Sequence, residues 1–438
     1  MGHIHGKYND FQKRLNKMPQ GAPPTETLFK FLEVLLSENE AELLSVIPVK
    51  ACTVPKVAKI WKKSQEETEN LLNGLADKGI LLDVEINGTR TFSLAPPMAG
   101  FIEFSLMRIN KDTFDKKILS ELYSQYINVE DQFGAMLWNL NPAIDRCLVN
   151  EEAIPEVYQS EILDYERASH IIETATCITV GICYCRHKKE HIGEPCPQNM
   201  PQDVCLTFNA AAESLSKHGI AKEISKPEAM KVLNRVRDLG LVQIGDNTQD
   251  GVSWICNCCG CCCEALMGYK QFGYIQNINT NFYVTVEKDE CTGCGVCQER
   301  CPVDAIEMED GIARVDLDRC IGCGVCTRFC EFEAITLERR DKLQFVPKDS
   351  FERVILEAIN TGKLQNLICD NFSSVSNQVL NRLLKLIFSL KPVKRSMVEK
   401  QLKSRYITGM VKMYMKLSKD GLEGFDLANY DHPELKEK

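Results

Sequence analysis

Residues 291–302 read CTGCGVCQERCP, and residues 320–330 read CIGCGVCTRFC. Each stretch spaces its four cysteines as C-x2-C-x2-C-x3-C. A cube of iron and sulfide offers four iron corners, and each corner needs one soft thiolate. Three thiolates at intervals of three residues wrap a tight loop over one face of such a cube, and glycines at 293, 295, 322 and 324 allow the loop to bend. The repeated spacing therefore predicts two iron–sulfur clusters in this part of the chain.

The two copies together resemble the bacterial ferredoxin that carries two [4Fe-4S] clusters. The resemblance covers residues 282–340 and implies a ferredoxin-like βαββαβ fold there. In that family the fourth ligand of each cluster comes from the other copy. The resemblance thus implies one cluster held by Cys291, Cys294, Cys297 and Cys330, and a second held by Cys301, Cys320, Cys323 and Cys326.

One residue departs from the ferredoxin pattern. Glu331 follows the second copy where Pro302 follows the first. The change keeps every ligand and adds a negative charge, which would lower the potential of the nearby cluster. A pair of zinc sites is the alternative for these eight cysteines, but zinc sites usually use C-x2-C pairs. Iron–sulfur binding is therefore favoured.

A second cluster of cysteines lies upstream, where residues 255–264 read ICNCCGCCCE. So many thiolates side by side would repel one another, and a bound cation or cluster removes that repulsion. The candidate ligands between residues 176 and 281 are Cys183, Cys185, Cys196, Cys205, Cys256, Cys258, Cys259, Cys261, Cys262 and Cys263. We expect one or two additional [4Fe-4S] clusters here, or zinc.

The number of thiols constrains these upstream centres. One cube uses four thiolates, so the six of residues 255–264 exceed one cube. Our working interpretation is two further [4Fe-4S] clusters, each drawing ligands from the short stretch and from the earlier cysteines. Vicinal cysteines rarely point the same way, so Cys258/Cys259 and Cys262/Cys263 are expected to serve different irons or clusters. Zinc–thiolate binding, a disulfide-forming relay and one or two spare thiols remain open.

Two histidines and four isolated cysteines lie outside these motifs. His187 and His191 are four residues apart, so on a helix they would share a face and could bind metal or move protons; a solvated charged turn is the alternative. The isolated cysteines are interpreted as packing residues, and they are Cys52, Cys147, Cys177 and Cys369.

Composition indicates a cytoplasmic protein. The chain has 438 residues with 26% charged and 44% hydrophobic residues, as in soluble multidomain proteins. No signal-peptide core follows Met1, and no run of 18 apolar residues occurs. In a reducing cytoplasm, clustered cysteines bind metal more often than they form disulfides.

The N-terminal region, residues 1–104, resembles a winged helix. Helical patterns begin at Thr25 and recur to Gly79, and Asn87-Gly88 then joins two strand-like runs, a strong hairpin signal. Ser64, with Glu67 three residues later, predicts a capping box. The same pattern recurs from Ser225 to Gly240, which predicts a second helix-to-strand unit.

The charge of this region argues against DNA binding. The helix predicted at 64–78 carries four acidic residues and one lysine, so phosphates would repel it. Four lysines between residues 56 and 63 keep the alternative open. We therefore expect nucleic acid not to be the partner, and protein docking or formation of a homo-oligomer to be the role of this region.

The C-terminal region is basic. Val379, Leu380, Leu383, Leu384 and Ile387 recur at helical spacing. Residues 382–419 contain eleven lysines and arginines and one acidic residue. Four interpretations fit: a helical cap on the body, peripheral contact with an anionic membrane through 379–419, contact with an acidic protein, or contact with nucleic acid.

These regions predict an α+β multidomain protein. Its predicted domains are a winged-helix-like domain (1–104), a helical connector (105–175), a cysteine-rich metal- or cluster-binding domain (176–281), a dicluster ferredoxin domain (282–340) and a basic helical region (341–438). The combination resembles a group of anaerobic iron–sulfur proteins, which implies further clusters without naming a reaction.

Electron transfer at low potential between redox partner proteins is the predicted function. No G-x-x-x-x-G-K-[ST] loop and no G-x-G-x-x-G after a strand occurs, so a self-contained NAD(P)H- or ATP-dependent enzyme is disfavoured. An electron-transfer protein or an oxidoreductase subunit fits better. The alternatives are an oxidoreductase with an unusual cluster at residues 255–264 and a redox-sensing DNA-binding regulator.

Overall fold

The computed structural model describes residues 5–86, 88–108, 114–273, 278–369 and 375–389. The chain divides into two compact units, one formed by residues 1–102 with 354–438 and the other by residues 103–353. Each unit mixes helices with small sheets. None of the described helices is both long and apolar enough to cross a membrane.

The first unit begins with helices and ends its N-terminal part with a small sheet. Its elements are α1 (Gly6–Leu15), α2 (Glu26–Leu35), α3 (Glu38–Ser45), β1 (Cys52–Thr53), α4 (Val54–Trp61), α5 (Gln65–Asp77), β2 (Leu81–Ile86) and β3 (Thr89–Leu94). Helix α6 (Ile102–Leu106) follows at the boundary of the two units.

The predicted hairpin is present in this unit. Strand β2 pairs antiparallel with β3, from Leu81 opposite Leu94 to Ile86 opposite Thr89, and β1 pairs with the other edge of β3. The Ser64 side chain caps α5 by accepting a hydrogen bond from the Glu67 amide at 3.1 Å. The hairpin thus follows its sequence signal, whereas only the Ser64 half of the predicted capping box is present in the described residues, and the Glu67 carboxylate pairs with Lys63.

Three helices close the chain in the described residues. They are α17 (Ser350–Asn360), α18 (Leu364–Ile368) and α19 (Val375–Ser389). In the first unit, Lys363 donates to the Met18 carbonyl at 2.8 Å and Asn366 to the Lys17 carbonyl at 3.0 Å. The apolar residues Val379, Leu380, Leu383 and Ile387 lie on α19 and are exposed. The remainder of the predicted basic arm, from residue 390 onward, lies outside the described residues.

The second unit surrounds a six-stranded antiparallel sheet in the order β4-β8-β9-β6-β5-β7. The strands are β4 (Asp145–Cys147), β5 (Ile178–Ile182), β6 (Asp203–Phe208), β7 (Lys222–Glu223), β8 (Val242–Asp246) and β9 (Trp254–Cys258). The helices are α7 (Lys116–Ser124), α8 (Gln132–Trp138), α9 (Glu156–Gln159), α10 (Ala168–Thr174), α11 (Tyr184–His191), α12 (Asn209–Lys217), α13 (Lys226–Asp238) and α14 (Glu264–Gln271).

The predicted second helix-to-strand unit is present as α13 and β8. Ser225 and Glu228 form a complete capping box at the start of α13. Gly240 follows the helix with φ +76°, a left-handed conformation that favours glycine, and β8 begins two residues later.

Residues 282–339 have the element order β-α-β-β-α-β. The elements are β10 (Phe282–Val286), α15 (Val296–Arg300), β11 (Ile306–Glu309), β12 (Ile312–Val315), α16 (Val325–Arg328) and β13 (Ile335–Arg339). The outer strands β10 and β13 pair antiparallel, and β11 pairs with β12 as a hairpin. One buried core joins this segment to the six-stranded sheet, with Ile244 and Leu266 clustered with Ile321 and Leu337.

Candidate metal and cluster sites

The first cavity of the β-α-β-β-α-β segment lies near the surface. Cys291, Cys294, Cys297 and Cys330 line it. The Cys294 side chain is exposed and Cys297 is buried, while the other two are half-buried. Apolar side chains, including the exposed Phe332, form much of the remaining wall.

The second cavity is more enclosed. Cys301, Cys320, Cys323 and Cys326 line its wall. Three of these thiols are buried and Cys301 is half-buried. The other lining residues are apolar or glycine. Each cavity thus presents four soft thiol ligands in a largely apolar wall, a donor set that fits a [4Fe-4S] cluster.

Backbone turns bring these thiols to the cavities. Gly293 and Gly322 have φ near +70°, and a Cβ at either position would lie within 2.3 Å of a backbone carbonyl oxygen. Gly295 and Gly324 have φ +77° and cap the short helices that carry the third cysteine of each copy. These positions need glycine for its conformation, and the first two need it for space as well.

The same loops direct backbone N–H groups at sulfur. The Ala305 amide donates to Cys301 Sγ at 3.2 Å, and the Ala313 amide donates to Cys291 Sγ at 3.5 Å. Burial nevertheless raises the pKa of Cys297, Cys301 and Cys326, so without metal these thiols favour the protonated form. A bound cluster would replace those protons and stabilise the fold at the same time.

The upstream cysteines form two distinct groups. One, the four-thiol group, contains Cys196, Cys259, Cys261 and Cys262, whose Sγ atoms all lie within 4.8 Å of one another. Cys196 Sγ lies 4.0 Å from Cys259 Sγ and 3.7 Å from Cys261 Sγ, and 3.7 Å separates Cys261 Sγ from Cys262 Sγ.

The other six upstream cysteines form a closed ring, here the six-thiol ring. Each thiol shifts the pKa values of its two neighbours, in the order Cys183, Cys185, Cys263, Cys258, Cys256, Cys205 and back to Cys183. Five of the six are buried and Cys256 is half-buried. Both vicinal pairs, Cys258/Cys259 and Cys262/Cys263, are split between the two groups.

The six-stranded sheet and two helix N-termini position the ring. Cys256 and Cys258 alternate on β9 and so share a face, and the register of β6 against β9 sets Cys205 beside Cys256. Cys183 and Cys263 are the N-cap residues of α11 and α14. Strand register therefore brings together cysteines that are about 50 to 80 residues apart in the sequence.

Both N-cap thiols are held toward the thiolate form. Hydrogen bonds from the Cys185 and Cys205 thiols, with the Arg186 guanidinium and amide, lower the pKa of Cys183. Hydrogen bonds from the Cys185 and Cys258 thiols, with the Leu266 amide, lower that of Cys263. Amides at helix N-termini favour negative charge, so these two positions suit metal-binding thiolates.

Arg186 lies between the four-thiol group and the six-thiol ring. Its side chain is 2% exposed, and its guanidinium donates to Cys259 Sγ at 3.5 Å and to the Asn257 carbonyl at 3.2 Å. Burial opposes its charged form, but the neighbouring thiolates of Cys183 and Cys259 raise the pKa of Arg186 overall. One fixed positive charge thus serves both groups of thiolates.

A buried ion pair flanks the ring. Lys188 on α11 pairs with Glu264, the residue after Cys263, and their side chains are 0% and 1% exposed. The Asn128 side chain can bind both partners, at 3.1 Å from Lys188 Nζ and 3.0 Å from Glu264 Oε2. The Lys188 ammonium also lies 5.3 Å from the centre of the Tyr123 ring. The pair joins the two helices whose N-termini carry ring cysteines.

The two histidines share one face of α11. Their Nε2 atoms are 3.0 Å apart, and Nδ1 of His187 lies 2.7 Å from the Leu106 carbonyl oxygen. Burial lowers the pKa of His187. Within the described part of the chain, no histidine lies close enough to the four-thiol group to join it as a ligand. Cys52, Cys147 and Cys369 are buried and Cys177 is half-buried, all outside both thiol groups.

The four-thiol group touches the β-α-β-β-α-β segment at one glycine. Gly260 lies between Cys259 and Cys261, and a Cβ there would lie 2.4 Å from the Pro302 carbonyl oxygen. Pro302 follows Cys301 and lines the second cavity. Sequence reasoning did not identify this contact, Arg186 or the Lys188–Glu264 pair. Their only sequence signal was adjacency to cysteine.

Comparison with known proteins supports the downstream segment alone. A family model described as a 4Fe-4S dicluster domain matches residues 283–331. No curated protein and no solved structure matches the chain. The match shows an iron–sulfur dicluster domain at residues 283–331, and the two cavities lie in and around that segment.

Proposed function

We propose that this protein carries electrons singly between redox partner proteins through two [4Fe-4S] clusters. Cys291, Cys294, Cys297 and Cys330 would hold one cluster, and Cys301, Cys320, Cys323 and Cys326 the other. The supporting observation is the pair of cavities, each lined by four thiols in a largely apolar wall, within the segment that matches the dicluster domain.

The different exposure of the two cavities gives the path a direction. The first cluster would exchange electrons with a partner, because Cys294 and Phe332 are exposed beside it. The second cluster would pass electrons inward, because Pro302 of its wall packs against Gly260 of the cysteine-rich region. The second unit would thus form a continuous relay from its surface to a further metal centre among the upstream thiols.

The partner surface would have three parts. Exposed Glu331 and Glu333 flank Phe332 beside the first cavity, which favours a partner with basic residues around an apolar contact. The winged-helix-like N-terminal region would dock protein or mediate self-association. Glu66, Glu67 and Glu69 are exposed on α5, which disfavours DNA. The basic C-terminal residues would contact an acidic protein or an anionic membrane surface from the cytoplasm.

An oxidoreductase is the second candidate function. The six-thiol ring supports it, because six converging thiols exceed what a relay cluster of cubane type requires. In this alternative the ring would hold the centre where substrate is reduced, and the dicluster segment would supply its electrons. A redox-dependent regulator would instead require cluster-dependent binding to a duplex.

Anaerobic purification with counts of iron and acid-labile sulfide tests the proposal. At least about eight irons and eight sulfides per chain are expected. Dithionite reduction should give the electron paramagnetic resonance (EPR) signals of two interacting [4Fe-4S]⁺ clusters. Cys297→Ser should remove one of these signals, while Cys177→Ser, a matched change outside the candidate ligands, should leave both. A chain without labile sulfide, or Cys297→Ser with both signals intact, would refute the proposal.

A further inference from the structure

The spacing of the thiols differs between the four-thiol group and the dicluster cavities. A tetrahedral zinc–thiolate site has Zn–S bonds of about 2.3 Å, which places its sulfurs about 3.8 Å apart. The measured Sγ–Sγ distances of 3.7, 3.7 and 4.0 Å in the four-thiol group match that edge. Thiolates on a cubane lie farther apart, because each binds its own iron corner.

The dicluster cysteines serve as an internal reference for cubane spacing. Among the described residues, the four sulfurs of the four-thiol group all lie within 4.8 Å of one another. Neither quartet of dicluster cysteines meets that limit. Each quartet instead surrounds a cavity with a largely apolar wall. The four-thiol group therefore has the dimensions of a site for one ion.

The six-thiol ring does not have the geometry of a site for one ion. Strand register sets Cys205 beside Cys256, yet among the described residues no three ring members lie mutually within 4.8 Å. A single tetrahedral ion cannot collect three of these sulfurs, and neither can two ions that share bridging thiolates. A multi-iron cluster spreads its ligands over several metal atoms and fits a ring of this kind.

The charges around the ring also favour a cluster with bound thiolates. The Arg186 side chain is buried beside the ring and donates to the carbonyl of Asn257, which lies between Cys256 and Cys258, at 3.2 Å. The Glu264 amide donates to Cys185 Sγ at 3.5 Å. This amide and the Arg186 guanidinium oppose the negative charge that several thiolates and sulfides would bring together.

We infer that the ten upstream cysteines form two unlike centres, a zinc site at Cys196, Cys259, Cys261 and Cys262, and one iron–sulfur cluster that uses all six ring thiols. Zinc has no redox chemistry, so the first centre is structural. It fixes the loop whose peptide bonds Cys258–Cys259 and Cys262–Cys263 connect the two sites. This replaces the expectation of two upstream cubanes, and it rests on the proposed function only for the source of electrons.

Six thiolates exceed the four corners of one cubane. A single cluster that uses them all has more than four irons or contains bridging thiolates. Cys258 and Cys263 of the ring belong to the same buried core as Cys320 of the dicluster segment, so the ring is the inner end of the relay that begins at Cys294. The ring is thus the place for storage of electrons or for reduction of a small substrate.

Metal analysis of the full-length, anaerobically purified protein tests this inference. We expect one zinc and at least about twelve irons per chain, eight of them in the two dicluster sites. X-ray absorption at the zinc edge should show four sulfur ligands at about 2.3 Å. About sixteen irons without zinc would overturn the inference in favour of two cubanes, and a mononuclear iron in place of zinc would overturn the zinc assignment.

Three serine variants separate the two centres. Cys196→Ser should release zinc and keep the iron count within about one atom. Cys205→Ser should lose the irons above eight and keep zinc. Cys177→Ser, in the same unit, should change neither count. Full iron content in Cys205→Ser would mean that the ring does not bind a cluster through six thiolates.

The dicluster EPR signals of each variant report on the proposed function independently. If those signals are present while the zinc and iron counts disagree with the expected values, the inference fails and the proposed function stands. If the signals are absent from the wild-type protein, the proposed function fails. Should Cys205→Ser not fold, Mössbauer spectra of the wild-type protein still decide, because cubanes alone in those spectra would contradict a six-thiolate cluster.

Discussion

The dicluster segment, residues 282–340, and the cysteine-rich region, residues 176–281, gather thiols by different means. In the dicluster segment three ligands of each quartet come from one short loop, and left-handed glycines shape that loop. In the cysteine-rich region the ring ligands come from two strands, two helix N-termini and a first helical turn, and strand register aligns them. A loop site depends on local backbone conformation, whereas the ring depends on the tertiary fold.

The two regions also place their charged side chains differently. Ion pairs of the dicluster segment lie at its surface, as with Arg314 and Glu309, which are 65% and 50% exposed. The cysteine-rich region instead buries Arg186 and the Lys188–Glu264 pair next to its thiols. Fixed buried charges stabilise thiolates strongly but cost desolvation, so they are expected where a highly charged centre must be held away from water.

The largest predicted effect is at the buried pair. Lys188→Met should lower the free energy of unfolding by about 3–5 kcal/mol, because Glu264 would be left buried without its partner. The double variant Lys188→Met/Glu264→Gln should recover part of that loss. Arg314→Met, which breaks an exposed pair of the dicluster segment, should cost less than about 1 kcal/mol. Denaturant unfolding under anaerobic conditions measures these free energies. Equal losses for Lys188→Met and Arg314→Met would contradict the difference between the buried and the exposed pair.

The second prediction concerns the loops of the dicluster segment. Gly322 has φ +69°, and a Cβ there would lie 2.0 Å from the Phe282 carbonyl oxygen. Gly322→Ala should cost about 2–4 kcal/mol, from the left-handed conformation and from overpacking, and should deplete the second cluster. Gly295→Ala is the control, because its φ is +77° but its Cβ would meet no atom within 4 Å. The control should cost about 1–2 kcal/mol and keep both clusters, measured by thermal unfolding and iron content.

These two regions also differ in how far sequence predicts them. The resemblance to the two-cluster ferredoxin predicted the fourth cysteine of each dicluster cavity, and the spacing C-x2-C-x2-C-x3-C predicted the other three, because local spacing determines loop geometry. It could not predict the division of the upstream thiols, since Cys205 joins Cys256 only through the pairing of β6 with β9. Spacing along the chain carries no information about strand register between distant segments.

Short sequence motifs without cysteine correctly predicted local secondary structure. Asn87-Gly88 predicted the β2–β3 hairpin, and the Ser225 capping box predicted the start of α13. The contact of Gly260 with Pro302 could not be predicted, because a close approach of two backbones depends on tertiary packing. Two expectations remain predictions: the role of the N-terminal region, and which cysteines bind metal.

A third prediction tests the contact that joins the two regions. Gly260→Ala should cost about 1–3 kcal/mol, because its Cβ would lie 2.4 Å from the Pro302 carbonyl oxygen. The displaced loop should also slow electron transfer from the second cluster to the upstream centre. Gly251→Ala, which would meet no atom within 4 Å, controls for a change of an exposed glycine. Freeze-quench EPR after a pulse of reductant should show delayed reduction of the upstream centre in Gly260→Ala alone.

The smallest predicted effect is electrostatic and spans the same contact. Lys270 Nζ lies 3.0 Å from an Asp304 carboxylate oxygen and donates to the Gly260 carbonyl at 3.3 Å. Its side chain is 26% exposed and that of Asp304 is 64% exposed, so water screens the pair. Lys270→Met should therefore cost at most about 1 kcal/mol at low salt, and the difference from wild type should shrink at high ionic strength. A loss that does not depend on salt would assign the role of Lys270 to its bond with the Gly260 carbonyl, and so to the shape of the zinc loop rather than to charge between the two regions.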